Sequence, residues 1–238
     1  MSDRYRINEI FWSPQGEGLR AGQMSMFVRF TGCNMRCTVE PGPKSPGGFD
    51  CDTEFESGRW MTIDEISKDI AATLAAANSP APTKQSPIWI VCTGGEPALQ
   101  LDADFCAFFH DQGFRIAVET NGSIELPRLA KSLDWDMATL AAEAMWTALE
   151  GYAVDWITVS PKVAEHAIRQ PVAHELKYVR GYGQALPKPA CMAPNKLISP
   201  AFNGLAIDAK AMGWCLDLIK EDPSWRLSVQ MHKAWKVR

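Results

Sequence analysis

The stretch MFVRFTGCNMRC, residues 26–37, decides how this chain is read. Met26–Phe30 has the Phe and Val content of a short buried strand. Gly32 opens a loop, and Cys33 and Cys37 follow with three residues between them. Cys51 comes after thirteen more residues, 38–50 (TVEPGPKSPGGFD), whose prolines and glycines specify a loop. Clustered cysteines directly after a strand favour ligation of a metal or cluster over packing. Thiolates are the usual ligands of iron–sulfur clusters. Three of them leave one iron of a [4Fe–4S] cluster open to a small molecule. A zinc site completed by a histidine stays open as an alternative, as does a set of unrelated buried thiols. Cys92, Cys106, Cys191 and Cys215 are scattered through other elements and read as structural.

Outward from this stretch the pattern alternates strands and helices. Strands are predicted at Ile88–Val91, Ile116–Val118, Trp156–Val159, Leu176–Val179, Lys196–Ile198 and Leu227–Val229. Helices are predicted over Asp64–Ala76, after Thr62 as a cap, and over Asp102–Asp111, Asp134–Glu150 and Ile207–Ile219. Such alternation implies an α/β fold, with a parallel sheet and helices packed outside it. Residues 77–86 (ANSPAPTKQS) read as a surface linker. The whole chain, 1–238, is expected to form one domain, with a loop insertion at 38–50 and a helical insertion near 123–151.

Composition narrows the function classes. The 238 residues are 46% hydrophobic and 22% charged, ordinary for a globular protein. A net charge of -4 argues against a nucleic-acid track, which needs an excess of Lys and Arg. The start, MSDRYRINEIFW, lacks the apolar run of a secretory signal. No stretch approaches the ~20 apolar residues of a membrane span. These features lead to the expectation of a cytoplasmic protein that binds neither nucleic acid nor membrane.

Seven motifs then follow one another in order. They are Gln15-Gly16-Glu17-Gly18; Arg29 leading into Gly32–Cys37; Cys51-Asp52-Thr53; Thr93-Gly94-Gly95-Glu96-Pro97; Glu119-Thr120-Asn121-Gly122; Ser160-Pro161-Lys162; and Gln230-Met231-His232-Lys233. The set resembles the 7-carboxy-7-deazaguanine synthase family of radical S-adenosylmethionine enzymes over nearly the whole chain. It differs in the gap before Cys51, thirteen residues where the family usually has two. Loop-closure entropy grows only logarithmically, so the longer gap costs on the order of 1–2 kcal/mol. Near the C-terminal end, Ser199-Pro200 stands where the family typically has Gln-Pro, and the chain ends in Arg238 where the family often has proline.

The resemblance implies a modified partial (β/α) barrel of the radical S-adenosylmethionine type. It implies conversion of 6-carboxy-5,6,7,8-tetrahydropterin to 7-carboxy-7-deazaguanine with loss of ammonia, a step toward queuosine. Cys33, Cys37 and Cys51 would hold the [4Fe–4S] cluster and Thr53 a Mg²⁺ ion. Gln15, Gly16, Glu17, Arg29, Thr93, His232 and Arg238 would meet the pterin. Asp52, Gly94, Gly95, Glu96, Glu119, Asn121, Ser160, Lys162, Ser199 and Pro200 would meet S-adenosylmethionine. A flavodoxin or ferredoxin as electron donor and a homodimer are further implications. Two other readings remain: an enzyme that installs a glycyl radical on a partner protein, and a zinc- or cluster-binding module without catalysis.

Overall fold

The computed structural model describes residues 4–35, 56–129, 142–203 and 206–237. Its strands are β1 (Tyr5–Pro14), β2 (Met24–Phe30), β3 (Arg59–Met61), β4 (Ile88–Gly94), β5 (Phe114–Thr120), β6 (Trp156–Val159), β7 (Glu175–Arg180), β8 (Asn195–Pro200), β9 (Phe202–Asn203), β10 (Ala206–Ile207) and β11 (Trp225–Leu227). Nine of them form one sheet in the order β11-β8-β7-β6-β5-β4-β2-β1-β3, and β9 and β10 pair separately. From β2 through β11 neighbouring strands of this sheet are parallel, while β1 pairs antiparallel with both β2 and β3.

The helices are α1 (Ile63–Ala76), α2 (Ala103–Asp111), α3 (Ala142–Glu150), α4 (Ala209–Glu221) and α5 (Met231–Trp235). Helix α1 starts at a capping box in which Thr62 accepts from Glu65 N and the Glu65 carboxylate accepts from Thr62 N. Asp102 and Asp208 cap α2 and α4 through their carboxylates. The Asp208 cap explains why α4 begins two residues later than its apolar periodicity suggests.

The outer sheet face carries the main core. Ile66, Ile70, Phe105 and Phe109 of α1 and α2 are fully buried there against Phe30, Ile90 and Ile116. Tyr5, Phe30, Phe105 and Phe109 contact one another edge-on or tilted, with ring centroids 4.8–6.4 Å apart. The inner face is smaller and more polar. Phe11 and Phe27 stack there at 4.9 Å with Val91 and Ala117 beneath them.

The sheet curls. Laid flat, β1 and β11 would be seven strand spacings, about 33 Å, apart. Yet Gly18 N, four residues beyond β1, donates to Ser228 Oγ, one residue beyond β11, at 3.1 Å. Five residues of chain reach only about 17 Å. Only a sheet bent toward a barrel closes that gap, as the sequence resemblance implies.

Several strands depart from expectation: the short β3, β9 and β10 are absent from the sequence reading, and two further departures have clear causes. β1 is absent from the sequence reading because a bulge between Ile7 and Glu9 breaks its alternation and places polar residues mid-strand. The last strand is Trp225–Leu227 rather than Leu227–Val229. It pairs on one side only, so Leu227 is partly exposed and its apolar pattern is a poor guide to its bounds. Of the expected helix Asp134–Glu150, Ala142–Glu150 is helical, and residues 134–141 lie outside the described residues.

One buried histidine makes stability depend on pH. His174 stacks on Trp156 at 4.7 Å and meets Trp146 edge-on, and its Nδ1 accepts from Ile157 N at 3.0 Å. Burial lowers its pKa from 6.5 to about 4, against a weaker upward pull from Asp155. Between those two pH values the unfolded chain takes up a proton that the native ring refuses, so stability falls as pH falls. Denaturant unfolding should show a loss of about 1–2 kcal/mol from pH 7 to pH 5 assignable to this residue. His174→Gln should remove that part of the pH dependence.

Candidate active site

In-register parallel pairing lines up the inner face in rows. Phe27, Val91, Ala117 and Trp156 form an apolar row. One step toward the carboxyl ends of the strands lies a polar row: Arg29 on β2, Thr93 on β4, Glu119 on β5, Thr158 on β6 and Glu175 on β7. Thr93 Oγ1 donates to Glu119 at 3.0 Å, and Thr158 Oγ1 donates to Glu175 at 3.0 Å. Ligands of parallel sheets bind beyond the carboxyl ends of the strands, where this row sits.

Above this row is a pocket of about 170 Å³. Phe11 and Phe27 supply its apolar wall, and Arg29, Thr93 and Glu119 its polar one. The loop after β1 adds Gln15, Gly16 and Glu17, and the C-terminal segment adds Gln230 and His232. The two segments lock together. Met231 N donates to Gly16 O at 2.8 Å, and a Cβ on Gly16 would lie 2.3 Å from the His232 ring. Gln15 Nε2 donates to Glu119 at 3.0 Å. Glu119, grouped by sequence with the cofactor contacts, thus stands among the residues grouped with the pterin.

Charge in the pocket is balanced by neighbours. Arg29 Nε lies 3.1 Å from the Glu9 carboxylate, without the alignment of a hydrogen bond, and its guanidinium rides over the Phe11 ring at 5.5 Å. Glu17 forms an ion pair with Lys177 and accepts from Gln230 Nε2 at 2.6 Å. Burial alone would raise the Glu17 pKa. Lys177, Gln230 and the charge of His232 outweigh it and hold the carboxyl below its usual range.

The cysteine loop abuts this pocket because the end of β4 docks on its backbone. Gly95 N donates to Phe30 O at 3.0 Å, and Glu96 N donates to Gly32 O at 2.8 Å. A Cβ on Gly95 would lie 2.0 Å from Gly32 O. One on Gly94, whose φ is +116°, would lie 2.3 Å from Phe30 O. Only glycine permits such close approach. On the other side, Asn121 Nδ2 donates to Asn34 Oδ1 at 3.1 Å, and Asn34 Nδ2 donates to Ser123 Oγ at 2.8 Å.

Cys33 suits a cluster ligand. It is partly exposed at the open end of the sheet, and Met35 N donates to its Sγ at 3.4 Å. Cys92, Cys106, Cys191 and Cys215 are buried, and burial pushes their thiols up, to about 12 for Cys106 and Cys191 and about 11 for Cys215. That disfavours the thiolate a cluster needs and fits their reading as structural. Cys37, Cys51, Asp52, Thr53 and Arg238 lie outside the described residues.

The remaining expected contacts sort by geometry. Ser160, Lys162, Ser199 and Pro200 sit at or just beyond the carboxyl ends of β6 and β8, on the same side as Cys33. Glu96 does not face this opening. It is fully buried, and its carboxylate accepts from Ala98 N at 3.0 Å, Thr120 Oγ1 at 2.7 Å and Asn121 N at 2.7 Å. Burial raises its pKa despite these bonds. Its side chain ties the end of β4 to the end of β5 and braces the two strand ends. Sequence reasoning missed Glu9, Phe11, Phe27, Lys177 and Gln230. Gln230 stood in a quoted motif, whereas Lys177, mid-strand in ELKYVR, residues 175–180, carries no local mark.

No protein-family model matches the chain. Individual relatives do. It is 34% identical to the 7-carboxy-7-deazaguanine synthase of Bradyrhizobium diazoefficiens, covering 98% of this chain and 99% of that protein. It is 35% identical to that of Caulobacter vibrioides, covering 96% and 97%. The chain belongs to the 7-carboxy-7-deazaguanine synthase family. Synthases of this family are carbon–nitrogen lyases of the radical S-adenosylmethionine type, and membership displaces both the zinc-module and the glycyl-radical readings. The crystal structure of QueE from Escherichia coli superimposes with a TM-score of 0.57 over 96% of this chain and 95% of that one, at 21% identity. That likeness carries the fold. Among the described residues no helix is long and apolar enough to cross a membrane.

Proposed function

We propose that this chain converts 6-carboxy-5,6,7,8-tetrahydropterin to 7-carboxy-7-deazaguanine, releasing ammonia, in the pocket above the polar row. One domain, carrying the 38–50 and 123–151 stretches as insertions, performs the chemistry. The observation that carries this reading is the convergence of Gln15, Glu17, Arg29, Thr93, Glu119 and His232 on one pocket beside the Cys33 loop. A pterin offers an amide and amino edge at one end and, here, a carboxylate at the other. Glu17 and Glu119 accept hydrogen bonds from the first, and Arg29 receives the second through a charge-assisted fork. Phe11 and Phe27, stacked on each other, offer an apolar wall to one ring face and keep water from it.

Cys33, Cys37 and Cys51 would hold a [4Fe–4S] cluster, and Thr53 a Mg²⁺ ion, whose preference for few protein oxygens and retained water suits a lone hydroxyl. When bound and reduced, the cluster and S-adenosylmethionine supply the radical that takes hydrogen from C6 of the pterin. The chain's own residues orient that carbon. The glycines of Thr93–Glu96 would let backbone come close to S-adenosylmethionine, and Asp52, Asn121, Ser160, Lys162, Ser199 and Pro200 would contact it. A flavodoxin or ferredoxin in the cytoplasm would supply the electron, and two copies would assemble as a homodimer.

The test is anaerobic reconstitution followed by turnover with the pterin, S-adenosylmethionine and dithionite. Formation of 7-carboxy-7-deazaguanine is the expected result, and 5′-deoxyadenosine without it would remove the substrate assignment. Arg29→Met should raise KM for the pterin about 30–100-fold with a smaller change in kcat, because a charged hydrogen bond is worth about 2–3 kcal/mol. Steady-state kinetics at saturating S-adenosylmethionine checks it.

A further inference from the structure

β7 is buried on both faces. Leu176 and Tyr178 belong to the main core, while Glu175 and Lys177 take the alternate, inner positions. Lys177 is only 7% exposed, and a buried ammonium persists only where counter-charges compensate it. Three carboxylates do so: Glu17, which it contacts, and Glu119 and Glu175 through their charges. Together they raise its proton affinity although burial opposes them.

Lys177 acts on one carboxylate in particular. One Glu17 oxygen takes the Lys177 ammonium and the other takes Gln230 Nε2, so neither swings freely. Gln230 precedes His232, whose ring packs on Gly16. The backbone N–H of Glu17 donates to Gln15 Oε1 at 3.1 Å, and Gln15 in turn donates to Glu119. A cation on β7 thereby fixes the loop after β1 and the segment before α5, the two pieces of the pocket that lie outside the sheet.

We propose that Lys177 is a positioning residue for the pterin: it clamps Glu17, and through Gln230 the His232 segment, in the orientation that binds substrate. The inference rests on Glu17 being a pterin contact, as proposed above. A cation that only stabilised the fold would affect both ligands alike and act independently of Glu17. A clamp acts on the pterin alone and only while Glu17 carries its charge.

The experiment is titration of the reconstituted protein with 6-carboxy-5,6,7,8-tetrahydropterin, and separately with S-adenosylmethionine, for the unmodified chain, Lys177→Met, Glu17→Gln and the double variant. Lys177→Met should weaken pterin binding at least about 10-fold and leave S-adenosylmethionine binding within about twofold. The two substitutions should not add, so that the double variant binds no worse than about threefold below Glu17→Gln. Lys177→Arg should recover most of the affinity. Should Lys177→Met fail to fold, Lys177→Gln, which keeps a donor toward Glu17, carries the same comparison with a smaller expected loss. Pterin affinity unchanged in Lys177→Met, or penalties that add in the double variant, would overturn the positioning role alone. No pterin binding by the unmodified chain would overturn the functional reading, and this inference with it.

Discussion

Cys33→Ala should abolish turnover and lower iron loading of the reconstituted protein, with 5′-deoxyadenosine formation falling by at least about 100-fold. A thiolate ligand has no substitute nearby. The thiols of Cys92, Cys106, Cys191 and Cys215 are buried and held protonated, and none lies in the loop that carries Cys33. The fold itself should survive. Cys33 lies beyond β2 and outside both hydrophobic clusters, so its removal leaves no core cavity. Far-ultraviolet circular dichroism should therefore be unchanged while the iron content and the visible absorption of the cluster drop. Cys215→Ala is the control. It removes a buried thiol from α4 and should cost some stability but leave iron loading intact.

Gly95→Ala should be strongly damaging for a single added methyl. The added Cβ would lie 2.0 Å from Gly32 O and 3.2 Å from Cys33 N, both backbone atoms that no rotamer change can move aside. Relief requires the end of β4 to part from the cysteine loop, breaking the bonds from Gly95 N to Phe30 O and from Glu96 N to Gly32 O. Two backbone bonds plus their desolvated groups amount to about 2–4 kcal/mol. For a chain of this size that is a fall in melting temperature of roughly 5–15 °C. The proposed cluster and S-adenosylmethionine sites would share this junction, so turnover should fall further than stability does, by more than about 100-fold. Gly213→Ala makes the comparison. Gly213 lies in α4 with nothing within 4 Å of the added methyl, so the change should be neutral or stabilising by up to about 1 kcal/mol.

The sequence makes the parallel strands legible for a physical reason. Ile88–Val91, Ile116–Val118 and Trp156–Val159 are buried on both faces, so each appears as a short apolar run bounded by turn residues. β1 stays hidden because its bulge at Ile7–Glu9 shifts the side-chain alternation, and β11 because an edge strand tolerates exposure. The pocket was legible where its residues sit in short motifs at strand ends. Lys177 and Glu9 sit mid-strand, and what marks them is a partner far away in the chain: Glu17 is 160 residues from Lys177, and Glu9 is twenty positions from Arg29. The Lys177 pairing follows from the curl of the sheet, and the Glu9 pairing from the register that sets Glu9 opposite Arg29 on β2; no local pattern encodes either. Glu96 shows the converse. Its motif marks it as functional, and the fold turns its carboxylate inward to brace two strand ends.

The central claim is that thiolates of the loop after β2 would hold a [4Fe–4S] cluster and leave one iron for S-adenosylmethionine. Electron paramagnetic resonance of the reduced, reconstituted protein, with and without S-adenosylmethionine, tests it most directly. Ligation at an open iron should shift the g-values of the cluster on adding S-adenosylmethionine. A [4Fe–4S] spectrum that forms in full yet does not change on that addition would contradict the claim.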